Sequence, residues 1–135
     1  MNGMLVDSNV FLDVFLDDTR WGEWSESQLA HYSSLYDLYL NPVIYSEISI
    51  GFHKIEELER VLEDGGFRYL TLPKEALFLA GKVFLTYRKN TGQKRSPLPD
   101  FYIGAHASVL GFPLLTRDRK RYATYFPALK IISPS

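Results

Sequence analysis

The 135-residue chain is 46% hydrophobic, 23% charged and 15% aromatic, proportions that suit one compact domain with a full core and exclude a disordered tail or a fibre. It has no Cys, which excludes disulfide stapling, thiolate nucleophiles and Cys-ligated zinc, and with no leader-like start and no apolar run near the roughly 18 residues of a membrane span, a cytoplasmic protein is expected. The net charge of −1 hides an asymmetry: Met1–Leu85 holds 14 acids and 6 bases, whereas Thr86–Ser135 holds 9 bases and 2 acids, a distribution that suits a polyanion partner as well as two halves folded against each other.

No repeat or linker divides residues 1–135, which are read as a single domain. Met4-Leu5-Val6 is a short apolar strand ending at Asp7, and Val10 to Asp13 begins a helix. Trp21, Trp24, Tyr32, Leu35 and Tyr36 recur at helical spacing and predict a helix with one buried face. Asp37–Leu40 reads as a second strand. Asn41-Pro42 then supplies a capping side chain and an N1 proline for a helix running to about Gly51, with Glu47 on it. Ile55, Leu58, Val61 and Leu62 define the next helix, stopped by Gly65-Gly66, and Phe67–Thr71 reads as a strand.

Pro73 opens a longer helix, with Ala76, Leu79, Ala80, Val83, Phe84 and Tyr87 inward, that Asn90-Thr91-Gly92 ends. After a polar, basic loop, Ser96-Pro97-Leu98-Pro99 puts Asp100 at the first turn of Phe101–Leu110, a segment apolar on nearly every side and therefore buried. Leu114-Leu115-Thr116 is a strand, with Asp118 just beyond it after Arg117. A short helix through Tyr122 and Tyr125 and a strand at Leu129–Ile132 finish the chain. Strands separated by helices predict an α/β fold, a three-layer α/β/α sandwich with a short-stranded, mostly parallel central sheet.

Most acids have ordinary surroundings: Glu56, Glu57, Glu59, Glu63 and Asp64 form the wet face of a helix, and Asp17 and Asp18 suit a loop. Asp7 and Asp118 differ in following apolar strands, whose carboxyl ends open into the ligand crevice of a parallel sheet. Asp100 lies at the start of a buried helix, and Glu47 has Ile44, Ile48 and Phe52 close by in sequence. Singly, each also reads as a loop acid, a cap or a solvent-facing side chain. Were all four to converge within about 5 Å, each like-charge pair would cost on the order of 3 kcal/mol at an effective dielectric of 20, so a counter-charge would be needed. An all-oxygen donor set with no Cys and three His suits Mg²⁺ or Mn²⁺ better than zinc. A serine-hydrolase G-x-S-x-G and a glycine-rich phosphate loop are both absent, and His106 reads as a hydrogen-bonded core residue.

In order and spacing, Leu5-Val6-Asp7-Ser8-Asn9-Val10, Tyr45-Ser46-Glu47-Ile48, Pro99-Asp100-Phe101-Tyr102-Ile103-Gly104-Ala105-His106-Ala107 and Leu115-Thr116-Arg117-Asp118 leading into Arg121-Tyr122 and Tyr125-Phe126-Pro127 resemble the PIN-domain family, and within it the small VapC-type toxins of toxin–antitoxin pairs. The resemblance implies a metal-dependent endoribonuclease with Asp7, Glu47, Asp100 and Asp118 holding Mg²⁺ or Mn²⁺, and with Asn9 and Thr116 orienting carboxylates or the attacking water. It also implies a homodimer and a cognate antitoxin that covers the acidic site. On the resemblance we add an expectation from charge alone: Arg95, Arg117, Arg119 and Arg121 guide the phosphates of the RNA substrate. Some relatives carry a further acid shortly after the last aspartate. Here Arg119, Lys120 and Arg121 follow instead, which favours one metal at rest. An aspartyl-phosphate phosphatase is disfavoured because its D-x-D signature needs an acid at Asn9. The remaining alternative is a non-catalytic RNA-binding or scaffold module with the same fold.

Overall fold

The computed structural model describes residues 2–92 and 98–134. All four residues of β1 (Gly3–Val6) are buried, and because successive strand residues face opposite sides, both faces of the sheet must be covered there. β2 (Asp37–Leu40), β3 (Arg68–Tyr69), β4 (Leu114–Leu115) and β5 (Ile131–Ile132) complete a sheet of order β3-β2-β1-β4-β5. Every pairing is parallel, with Met4 beside Leu38, Leu5 beside Leu114, Tyr39 beside Arg68 and Leu114 beside Ile131. Parallel neighbours cannot be joined by tight turns, so helices supply the crossovers and the expected layered α/β fold results.

The helices are α1 (Ser8–Phe15), α2 (Gly22–Ser33), α3 (Pro42–Ile48) running into a 3₁₀ turn at Ser49–Gly51, α4 (Ile55–Asp64), α5 (Lys74–Thr91), α6 (Leu98–Leu110) and α7 (Lys120–Ala123). Local chemistry sets several ends. Asn41 caps α3 by accepting from the Ile44 N–H at 2.9 Å, with Pro42 at the first position, and Gly92 closes α5 at φ 67°, a left-handed conformation that costs glycine nothing. The core gathers β1, Leu38 and Leu40 of β2, Val10 and Phe11 of α1, Ile44 and Ile48 of α3, and Phe101, Ile103, Ala105 and Ala107 of α6.

Periodicity overreached at some ends. The third and fifth strands span two residues each rather than Phe67–Thr71 and Leu129–Ile132; β3 is an exposed edge, and the Leu129 N–H turns back to the Phe126 carbonyl. Leu35 is 53% exposed because α2 stops at Ser33 and the following turn, with the Leu35 and Tyr36 N–H groups both on the Tyr32 carbonyl, points it outward. Ile55, 62% exposed at the open end of α4, leaves Leu58 and Leu62 as that helix's buried pair. The last helix stops at Ala123, short of Tyr125.

Candidate active site

Strand order locates the crevice before any side chain is considered. From β1 the sheet grows one way through β2 and β3 and the other way through β4 and β5, so the chain's direction of travel reverses between β1 and β4, and ligands bind at the carboxyl ends of strands at such a point. Asp7 follows β1 there, and Thr116 to Asp118 follow β4. The remaining two acids arrive on helices: Glu47 in α3 and Asp100 in the first turn of α6. A buried contact between Asn41 Nδ2 and His106 Nδ1, 3.1 Å long, ties these helices together. His106 is thus the hydrogen-bonded core residue that the sequence suggests, and burial lowers its pKa.

Asp7 is 1% exposed and accepts from three close donors. Its Oδ1 accepts from the Ser8 N–H at 2.7 Å as the cap of α1, and its Oδ2 accepts from the Thr116 and Tyr122 hydroxyls at 2.8 Å each. The Ser8 hydroxyl, 3.3 Å from Asp7 Oδ1, donates to Glu47 Oε1 at 2.9 Å. Thr116 Oγ1 in turn accepts from the Asp118 N–H at 3.1 Å and from Asn9 Nδ2 at 3.3 Å, while Asn9 Oδ1 accepts from the Arg117 N–H at 3.2 Å. Arg121 closes the chain of contacts, with Nε 2.8 Å from Asp118 Oδ2 and Nη1 3.9 Å from Asp100 Oδ1. Glu47, Asp7, Asp118 and Asp100 are thereby linked through Ser8, Thr116 and Arg121, four acids from four separate stretches of sequence.

Burial, and after it crowding, is visible in the acidities of Asp100 and Glu47. Asp100 is raised to about 6, first by burial and then by Asp7, Glu47 and Asp118, with Arg121 opposing. Glu47 is raised too, by burial and by Asp7, against the Ser8 hydrogen bond and Arg121. Burial and then the charge of Asp7 push the Tyr122 phenol far up, so it stays a donor. As the side chains stand, no three His, Asp or Glu among the described residues form a group able to hold a metal ion. The donor chemistry nonetheless fits a hard divalent cation: the candidate ligands are carboxylate oxygens alone, and four carboxylates carry more negative charge than the one guanidinium of Arg121 neutralises.

The arginines named from the sequence divide. Arg117 turns away from the acids and pairs doubly with buried Asp13, Nε to Oδ2 at 2.7 Å and Nη2 to Oδ1 at 3.0 Å, with its guanidinium over the Trp21 ring. Arg119 donates to the Ile131 carbonyl and the Ser133 hydroxyl. Arg95 lies outside the described residues. Sequence reading missed Ser8, Tyr122 and Asp13. A polar residue directly after a strand-end aspartate was a signal for Ser8, and an acid inside the apolar run Val10–Phe15 was one for Asp13, whereas Tyr122 stood in the Arg121-Tyr122 piece of the family resemblance without a role attached to it. Beside Glu47 a cleft of about 340 Å³ is walled by Pro42, Val43, Leu98 and Tyr102. A larger cavity of about 570 Å³ between Gly3, Tyr36, Phe112 and Lys130 has one charged side chain in its lining, Lys130, and none of these acids.

Comparison with known proteins agrees with the fold. A chain of VapBC2 from Rickettsia felis, solved bound to a DNA fragment from its promoter, superposes with a TM-score of 0.72 at 15% identity, covering 97% of this chain and 98% of that one. VapBC-1 from nontypeable Haemophilus influenzae gives 0.71 at 18% identity with 97% of each chain covered, and a toxin–antitoxin complex from Klebsiella pneumoniae gives 0.64 at 18% identity with 98% of each. At such identities the likeness is one of fold. No curated protein matches the sequence directly. The family comparison is decisive, because a match to the PIN domain spans residues 4–127, from β1 past α7 and through all four acids: the chain belongs to the PIN domain family.

Proposed function

We propose that this chain is a metal-dependent endoribonuclease that hydrolyses RNA phosphodiester bonds, and that it is the toxin of a toxin–antitoxin pair. The observation that carries the reading is the meeting of Asp7, Glu47, Asp100 and Asp118 at the reversal point of the sheet, with Asp100 burdened enough to be raised to about 6. A structural domain gains nothing from crowding four acids, which weighs against a non-catalytic scaffold. Asp7, Glu47, Asp100 and Asp118 would hold Mg²⁺ or Mn²⁺. A divalent ion bound there supplies acidified water and neutralises charge developing on the phosphate. Thr116 and Tyr122 fix the Asp7 carboxylate, Ser8 fixes Glu47, and Asn9 steadies the Thr116–Arg117 backbone. Of the arginines, Arg121 faces the acids and is the one we assign to the RNA, while Arg117 holds the loop.

Complexes named toxin–antitoxin among the structural neighbours support an antitoxin partner, and exposed Leu77, Phe78 and Leu85 on α5 offer apolar surface for association, homodimeric or with that partner. Among the described residues no helix is long and apolar enough to cross a membrane, consistent with action on cytoplasmic RNA. Purified protein freed of any bound partner should cleave RNA with Mg²⁺ or Mn²⁺ and stop when EDTA is added. Asp7→Asn should lower cleavage by about a thousandfold or more with the far-UV dichroism unchanged. Retained RNA binding without metal-dependent cleavage in the unsubstituted protein would instead select the scaffold reading.

A further inference from the structure

We propose that Arg121 is the resident counter-cation of the acidic site: it occupies Asp100 and Asp118 while no divalent ion is held, and it leaves them for an RNA phosphate when one is. This inference rests on the nuclease reading above. Three arginines follow β4 within six residues, and two are committed elsewhere, Arg117 to buried Asp13 and Arg119 to the Ile131 carbonyl. Arg121 alone of the three reaches the acids, Nε at 2.8 Å from Asp118 Oδ2 and Nη1 at 3.9 Å from Asp100 Oδ1. Asp100 and Asp118 are two of the four carboxylates that would hold a cation. Two positive centres cannot share them at that range without strong repulsion, so uptake of one requires departure of the other.

The side chain is built to depart. Its exposure is 50%, its partner Asp118 lies in the loop before the four-residue α7 and is itself 39% exposed, and ion pairs that open to water hold weakly. Burial disfavours its charge, but Asp100, Asp118 and Asp7 outweigh that effect and keep the guanidinium charged throughout. Once free, a planar guanidinium tethered at the rim of the crevice presents paired N–H donors, a geometry that matches two phosphate oxygens. Arg121 then serves where a further acid and a second metal stand in a two-metal nuclease: it contributes positive charge to the phosphate without needing ligands of its own.

The test is Mn²⁺ binding to the full chain, read by the loss of free-Mn²⁺ EPR signal, alongside RNA cleavage at saturating Mn²⁺. Arg121→Gln should bind Mn²⁺ about tenfold more tightly than the unsubstituted chain while its KM for RNA rises about tenfold, and Arg121→Lys, which keeps the charge, should fall between them in metal affinity. Unchanged or weaker Mn²⁺ binding by a folded Arg121→Gln would overturn the proposal. A measurement without any variant guards against misfolding: in the unsubstituted chain the Arg121 Nε–H resonance should shift on addition of Mg²⁺, and an unmoved resonance at saturation counts against it. Absence of both Mn²⁺ binding and cleavage in the unsubstituted chain would instead bring down the nuclease reading, and this inference with it.

Discussion

At the scale of single residues, the acidic site depends on a second polar knot that contains none of its carboxylates. Asp13 accepts from the Ser25 hydroxyl at 2.7 Å and takes two N–H groups of Arg117, whose own backbone N–H reaches Asn9. The knot pins the loop bearing Thr116 and Asp118 to α1 and α2. Asp13→Ala should therefore cost about 3 kcal/mol in urea unfolding, since removing one partner strands a guanidinium that is 30% exposed and a buried hydroxyl. A loss under about 1 kcal/mol would mean that Arg117 finds water instead and that the loop is held otherwise. The sequence displayed Asp7, Glu47, Asp100 and Asp118 through their places after strands and on helices. It could not display what Arg117 does, because a charge near a candidate site reads as a ligand for substrate until its partner 104 positions away is known.

At the scale of elements, α3 and α6 matter more than their lengths suggest, since they carry Glu47 and Asp100 and, besides packing on each other, are joined by a buried hydrogen bond from the Asn41 cap. Asn41 uses Oδ1 to cap α3 and Nδ2 to hold His106 in α6. The cap was legible as an Asn-Pro pair. The contact with His106 was not, because it joins positions 65 apart and depends on how the two helices pack. The two contributions separate experimentally. Asn41→Ala loses both and should destabilise the chain by about 2–3 kcal/mol, whereas Asn41→Ser restores a capping oxygen and should recover about 1 kcal/mol while leaving His106 without its partner. Equal losses for the two variants in thermal or urea unfolding would show the cap to be inconsequential. Strand ends were the poorest reading because β3 and β5 are two-residue edge strands, whose limits are fixed by what β2 and β4 leave to pair with rather than by their own alternation.

Over the whole molecule, the fold buries titratable groups and sets some of them beside like charges, and this makes stability depend on pH in a stated direction. Asp100 has a folded pKa of about 6 against an ordinary value of 3.8, so between those values the native state holds a proton that the unfolded state has lost. Stability must then fall as pH rises through that window, by an amount on the order of 2–3 kcal/mol for a group that is 14% exposed. Glu47, also raised, adds to the fall. His106, lowered by burial, works in the opposite sense: its native form is neutral, so it favours the fold as pH rises toward the ordinary imidazole value. The metal-free chain in EDTA should accordingly lose stability between about pH 4 and pH 6, and Asp100→Asn should flatten most of that slope because it removes the titrating group while keeping its shape. Added Mg²⁺ should restore stability in the unsubstituted chain above pH 6, where the acids are ionised, and have little effect on Asp100→Asn, because a ligand that binds only the native state stabilises it in proportion to its occupancy. Denaturant midpoints measured from pH 4 to pH 8, with and without Mg²⁺, read all of these effects. A slope of the same size in Asp100→Asn would move the origin of the pH dependence away from the acidic site.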